Sequence, residues 1–511
     1  MESIASSNAN GVSVTLTWDE LNRLSTVIDN RLPSGANTAV YAYDSAGNVV
    51  TSTYPNGFQT TFTYDQLSRM TALSTPVSSY SYQLGPTGNR TSATEGNGRA
   101  LTWNYDGIYR LTGETITDDP NKNNGGVTYS LDPVGNRLSA ASTLTGINSG
   151  SWTYNADDEI SSETYDANGN VLSAGGVVYA YDSENHMTSM TGNGKVVTMV
   201  YDAFGNRVSK TVNGVTTKYL VEDDVNPAGL PQVLEEVQNG SAVRTYTYGL
   251  QRISESQFIS NVWTTSFYGY DGAGSVRQLT DSTGKVTDEY EYDAFGNSFT
   301  KSGTTPNSYL YRGEQFDSDL GPYYLRARYY NPTTGRFLSE DPLGFAGSGP
   351  NLYAYAFDSP HNYIDPFGLT TTVIVWNPVG YGESSQGHVS MIINNESYSF
   401  GPNGMDVEPA DQYLARNTAF RNGFGDNLNL TPDQESWLAN FLKNYKGKYH
   451  TLGRNCTSPI REGLKDLGFD LPTPDHPLAP FPPLFWIPSD VQWSLENTPG
   501  LVTGWTGYSK H

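Results

Sequence analysis

The chain has 511 residues, a formal net charge of -23, few charged residues (16%), many aromatics (13%) and one cysteine. That length gives room for two to four domains, the composition suits extended β-structure rather than disorder, and a lone thiol excludes an internal disulfide. The charge divides as -18 before Leu369 and -5 after it, which argues against nucleic acid or anionic lipid as partner of the larger part and weakens a nucleic-acid substrate for the remainder.

The first residues, "MESIASSNANGVSVTL", carry neither the basic region nor the apolar run of a signal peptide, and no segment approaches 18 apolar residues. No membrane span is expected, and export would need another device. These residues already look like the repeats that follow, so the start is expected to be a truncation of something longer.

Internal repeats dominate residues 10–308: "LTWDELNRLSTV", "YAYDSAGNVV", "FTYDQLSRMTAL", "WNYDGIYRLTGE" and "YDAFGNRVSK" are examples. Their Asp positions (19, 44, 65, 106, 132, 166, 182, 202) fall about 20 apart or at rough multiples. One unit reads as strand, tight turn, strand: Tyr43 and Asp44 end one strand, and Gly47-Asn48 supplies the turn. Rings covering a sheet face and carboxylates closing turns make Tyr and Asp structural here. The repeats weaken between Asp202 and Asp293.

Over residues 10–369 the pattern resembles the YD-repeat proteins of the Rhs family, the teneurins and the shell-forming subunits of insecticidal toxin complexes. The resemblance implies a mostly β fold, a spiral β-sheet shell over 1–308 that forms a closed or partial cocoon. The segment "YLYRGEQFDSDLGPYYLRARYYNPTTGRFLSEDPLGFAGSGPNLYAYAFDSPHNYIDPFGL", residues 309–369, is similar to the Rhs-associated core domain. In that family the core plugs the shell and cuts its own chain after the last "DPxGL", here after Leu369. The residues permit this chemistry. Asp341 and Asp365 open two similar turns 24 residues apart; brought together, one carboxyl would hold a proton while the other activates water. Arg336 matches an arginine found near the family's site. Asp358 stands where relatives more commonly carry Asn, and no effect on cleavage is expected.

Residues 370–511 read as a separate domain. "TTVIVWNP" is an apolar strand, and "GHVSMIINNESYSF" a hairpin turning at Asn394-Asn395. "TPDQESWLANFLKNYKGKY" is a helix with Thr431 as N-cap, and "NCTSPIREGLKDLGFD" a second, with Ile460, Leu464 and Leu467 on one face. Asp406 and Glu408 read as a solvated loop pair, and "LPTPDHPLAPFPPLFWIP" as an extended wrap.

Cys456 falls at the start of the second helix, where the dipole favours thiolate, and His388 on a strand with buried neighbours. A lone Cys is more often an inert core residue, but the polar flanks Asn455, Thr457 and Ser458 are not core composition. His388 then Cys456 resembles the circularly permuted NlpC-like hydrolases, which implies a papain-like α+β domain and a Cys456/His388 dyad, with Ser397 or Ser399 in the third role. His450 is a second candidate base; His476 sits in the Pro-rich run. No Cys/His cluster has metal-ligand spacing and no Gly-rich phosphate loop follows a strand, so no cofactor or metal is expected.

The expected whole is a polymorphic toxin. Its shell, delivered by a specialised secretion system, releases a cysteine hydrolase that acts on a macromolecule in the target cell. Its partners would be delivery components and a cognate immunity protein, with no nucleic acid. The rival is a structural or adhesive YD-repeat protein with a non-catalytic binding module, or a tail of acyltransferase or lipase chemistry.

Overall fold

The computed structural model describes residues 2–223 and 230–342, then 344, 350–363, 365 and 368, and beyond these chiefly the strands and helices named below. Fourteen antiparallel strands, from Glu2–Ala5 to Gly150–Ser151, form a first sheet in which each strand pairs with its chain neighbours. Fourteen more, from Thr164–Tyr165 to Ser298–Ser302, form a second in the same manner. Among the described residues neither sheet pairs its last strand with its first, so the YD-repeat β-structure is present as two open meanders.

The repeat chemistry explains the meander. Strand Thr38–Tyr43 buries Ala39 and Tyr41 and exposes Val40 and Ala42, a period of two. At its end the Asp44 carboxylate accepts the amides of Ala46 and Asn48, both at 2.9 Å, and the Asn48 side-chain amide at 2.9 Å. Those bonds hold the Asp44 carboxyl below its usual range. Gly47 takes φ +93°, a region its missing Cβ makes accessible. Asp19, Asp65, Asp106, Asp132, Asp166 and Asp202 close their turns in the same way.

The two sheets meet through buried polar groups as well as apolar ones. Glu235 accepts the amide of Val12 at 2.7 Å, Glu114 that of Ala294 at 2.7 Å, and Glu95 pairs with Arg277 at 3.0 Å. Ala294 and Phe295 from the second sheet complete the apolar cluster of Leu101, Trp103, Leu111 and Tyr129 in the first. A four-stranded sheet (Gln315–Phe316, Tyr323–Leu325, Arg328–Asn331, Arg336–Phe337) follows. Leu320, Tyr324, Tyr329 and Leu338 of this segment pack on Val177, Met190 and Val197 of the second sheet. Buried ion pairs reinforce the contact: Asp317 binds Arg207 at 3.0 Å and Lys210 at 2.8 Å.

In the last part of the chain six antiparallel strands lie in the order Gly404–Pro409, Glu396–Gly401, His388–Ile393, Thr372–Trp376, Gly423–Leu428, Val502–Tyr508. Helices α1 (Pro432–Lys443) and α2 (Ser458–Asp466) cover one face: Leu438, Leu442, Ile460 and Leu464 cluster with Val389, Met391, Ile393 and Tyr398. Asp406 and Glu408 lie on a strand, opposite Ser399 and Ser397, and not in the loop their composition suggested. By compactness the chain divides into residues 1–339 with 358–364, and residues 340–357 with 365–511. No described helix is long and apolar enough to cross a membrane.

Candidate functional site

The two Asp-Pro turns are built alike. Gly344 donates its amide to the carbonyl of Asp341 at 2.8 Å, and Gly368 to that of Asp365 at 3.3 Å. Both glycines take positive φ, +60° and +69°. Both aspartates are buried, and both belong to the compact unit that also holds residues 370–511. The Asp341 amide is itself bonded to the Leu352 carbonyl at 2.9 Å, which fixes where its turn begins. Leu369 lies outside the described residues.

Arg336 belongs to the other unit. It sits in strand Arg336–Phe337, buried, with its guanidinium donating to the Asp158 carbonyl at 2.6 Å and lying 5.1 Å from the Tyr154 ring centroid. In that same unit, residues 358–363 are anchored at several points. The Asn362 side-chain oxygen accepts the Arg90 amide at 2.8 Å, and the His361 ring lies 4.1 Å from that of Trp103. Burial pushes the Asp358 carboxyl up to about 7, while the guanidinium groups of Arg137, Arg110 and Arg336 pull the other way. The chain enters this anchor through three consecutive non-glycine residues of positive φ: Ala356, Phe357 and Asp358, at 48°, 51° and 54°. Such backbone is costly, about 1–2 kcal/mol per residue, and persists where surrounding packing enforces it. Sequence reasoning noted Asp358 only as a departure; the guanidinium cluster around it is assembled by contacts distant in sequence.

In the last unit Cys456, like His450 and His476, lies outside the described residues. Ser399 pairs with Ser390 across strands Glu396–Gly401 and His388–Ile393. His388 opens its strand opposite Trp376. The helices pack on the face of Val389, Met391 and Ile393. Ser397 is buried on strand Glu396–Gly401, opposite Ile392.

Two antiparallel meanders of aromatic hairpins, closed by Asp turns and capped by a short aromatic sheet, define a YD-repeat shell. Family models agree: residues 115–347 match the teneurin YD-shell and residues 43–82 the RHS repeat. The chain is an Rhs/YD-repeat family protein over these residues. It is 36% identical over 269 residues to the tRNA nuclease WapA of Bacillus subtilis (strain 168), covering 49% of this chain and 11% of that one. Toxin protein Tse5 of Pseudomonas aeruginosa is 36% identical over 110 residues, 22% of this chain and 8% of its own. The probable deoxyribonuclease RhsB of Dickeya dadantii is 29% identical over 209 residues, 37% and 13% respectively. The chain thus spans a small part of the length of these relatives. Among solved structures, TcdB2-TccC3 shares the fold over 70% of this chain and 21% of its own, with a TM-score of 0.58 at 20% identity.

These relatives correct two expectations. The cysteine-hydrolase chemistry expected of the last domain is corrected, because the relatives WapA and RhsB are named as nucleases. The motif match behind it was short, and a Cys flanked by Asn, Thr and Ser is equally what the polar start of a helix requires. The exclusion of nucleic acid as partner falls to the same names. The acidity behind it resides mostly before Leu369, and a shell's net charge does not set the preference of another domain.

Proposed function

We propose that the chain is a delivered toxin whose YD-repeat shell carries residues 370–511 as an effector acting on nucleic acid. The observation that carries this reading is the similarity, over about half the chain, to a protein named as a tRNA nuclease; the name of RhsB supports nucleic acid as the target, and that of Tse5 supports a toxin. Release would be by self-cleavage after Leu369. One of Asp341 and Asp365 would take the proton of a water that attacks the Leu369 carbonyl carbon. The other, protonated, would give its proton to the departing Thr370 nitrogen as the peptide bond breaks. The matched geometry and burial of the two turns support this assignment. An immunity protein and delivery components are the partners such a toxin needs. Incubating the purified chain with total tRNA and with plasmid DNA tests the reading. Cleavage or base modification of one of them is expected, and both remaining intact under a folded, processed chain would overturn it.

A further inference from the structure

We propose that the cavity between strand Arg252–Ile259 and residues 309–326 is a binding site for a phosphate-sized oxyanion. The cavity has a volume of about 150 Å³ and its lining includes Arg252, Arg312 and Arg326 with one carboxylate, Glu314. Three arginines thus line one space in a chain of net charge -23.

Each arginine is held in position. Arg252 donates to the Tyr248 hydroxyl and the Gly313 carbonyl, both at 3.2 Å, and its guanidinium carbon lies 3.1 Å from the Tyr309 ring centroid. Arg312 donates to the Ala273 carbonyl at 2.6 Å, and Arg326 reaches Glu314 at 3.1 Å. Burial raises the Glu314 carboxyl, while Arg326 and Arg252 pull it the other way. Arg312 and Arg326 both adopt left-handed backbone, φ 57° and 56°. Glycine would take that conformation without strain; a long cationic side chain kept there at two of the three positions points to a use for the charge.

Size and chemistry select the ligand. Pockets for drug-sized molecules start at about 300 Å³, so this one fits a tetrahedral oxyanion with some water, or the phosphoryl end of something larger. Arginine's planar fork suits two oxygens of such a group. A bound dianion would tie the second sheet to the core segment through Arg252 on one side and Arg312 and Arg326 on the other.

Equilibrium dialysis of the whole chain against radiolabelled inorganic phosphate, at constant ionic strength, tests this. One saturable phosphate per chain is expected, with affinity at least tenfold weaker in Arg312→Gln. Arg326→Lys keeps the charge but loses the fork, and should weaken binding severalfold, which serves if Arg312→Gln fails to fold. Displacement by a nucleoside monophosphate would assign the site to the phosphoryl end of a larger ligand; displacement by phosphate and sulfate alone would assign it to the free ion. Absence of saturable phosphate in the wild-type chain, or equal affinity in a folded variant, overturns the proposal.

Discussion

The hydroxyl of Tyr43 donates to the carbonyl of Leu24 at 2.7 Å, tying one hairpin to the one before it. The same bond joins Tyr64 to Val49, Tyr105 to Arg90, Tyr201 to Met187 and Tyr292 to Val276. Aspartate closes its own turn and tyrosine fastens that turn to its predecessor, so the pair works as a unit of lateral growth.

If the tyrosine bond carries stability, Tyr105→Phe should lower it by about 1 kcal/mol, the usual net worth of a hydrogen bond. Tyr64→Phe, in a separate hairpin, should add a similar loss. Denaturant unfolding of the single and double variants reads both. A Tyr105→Phe chain as stable as wild type would reduce the hydroxyl to an ornament of the ring.

Much of this architecture was legible because turn chemistry is local. The Asp, Gly and Asn of "YDSAGN" determine their hairpin within five residues. Between Asp202 and Asp293 the repeat looks weak, yet the ladder continues unbroken through Val215–Glu222, Gln232–Gln238 and Ser241–Tyr248. A signal was present: Asn213-Gly214 and Asn239-Gly240 both take positive φ, as two-residue hairpin turns demand. In the last domain the pairing of the two hairpin strands was legible, with Ile393 paired to Glu396; the expected turn at Asn394-Asn395 lies outside the described residues. The strands Gly404–Pro409 and Gly423–Leu428 were not, since Gly, Asn, Asp and Pro become extended there only by pairing with neighbours. Nor could the sequence reveal the guanidinium groups around Asp358, which come from elements more than 200 residues upstream as well as from Arg336.

Glu255 lies fully buried in the second sheet, and burial pushes its carboxyl up to about 7 from 4.5, partly opposed by Arg244. The folded state therefore holds a proton that the unfolded state has released. Stability from this group is complete below about 4.5 and falls as pH rises through 7, by on the order of 3 kcal/mol. Glu255→Gln should flatten the stability profile between pH 4.5 and 7.5 and exceed wild type above it. Parallel pH profiles of the two chains would refute this.

Gly335 has φ +72°, and a Cβ there would run into the guanidinium of Arg137. Arg137 in turn lies 3.7 Å from the ring centroid of Phe295, the second-sheet residue that completes the first-sheet core. Gly335→Ala should therefore cost more than backbone strain alone, at least about 2 kcal/mol. Thermal unfolding checks it: a loss of half a kilocalorie or less would mean that the arginine moves aside freely.

The last prediction concerns processing. Asp341 and Asp365 are buried, start matching turns and share a compact unit with residues 370–511. Two carboxyl groups working as acid and base cannot substitute for each other, so Asp341→Asn and Asp365→Asn should each leave the chain whole, and the double variant should look no different. The wild-type chain should separate into two pieces, the smaller beginning at Thr370. Asp358→Asn serves as the contrast. Its side chain keeps nearly the same shape but cannot ionise, so it should leave the cut in place while removing any change in cleavage rate around pH 7, where the Asp358 carboxyl titrates. Intact-mass measurement over time, on chains shown by circular dichroism to be folded, distinguishes these outcomes. An uncut wild type, or a cut Asp365→Asn, would remove the aspartate pair from the mechanism.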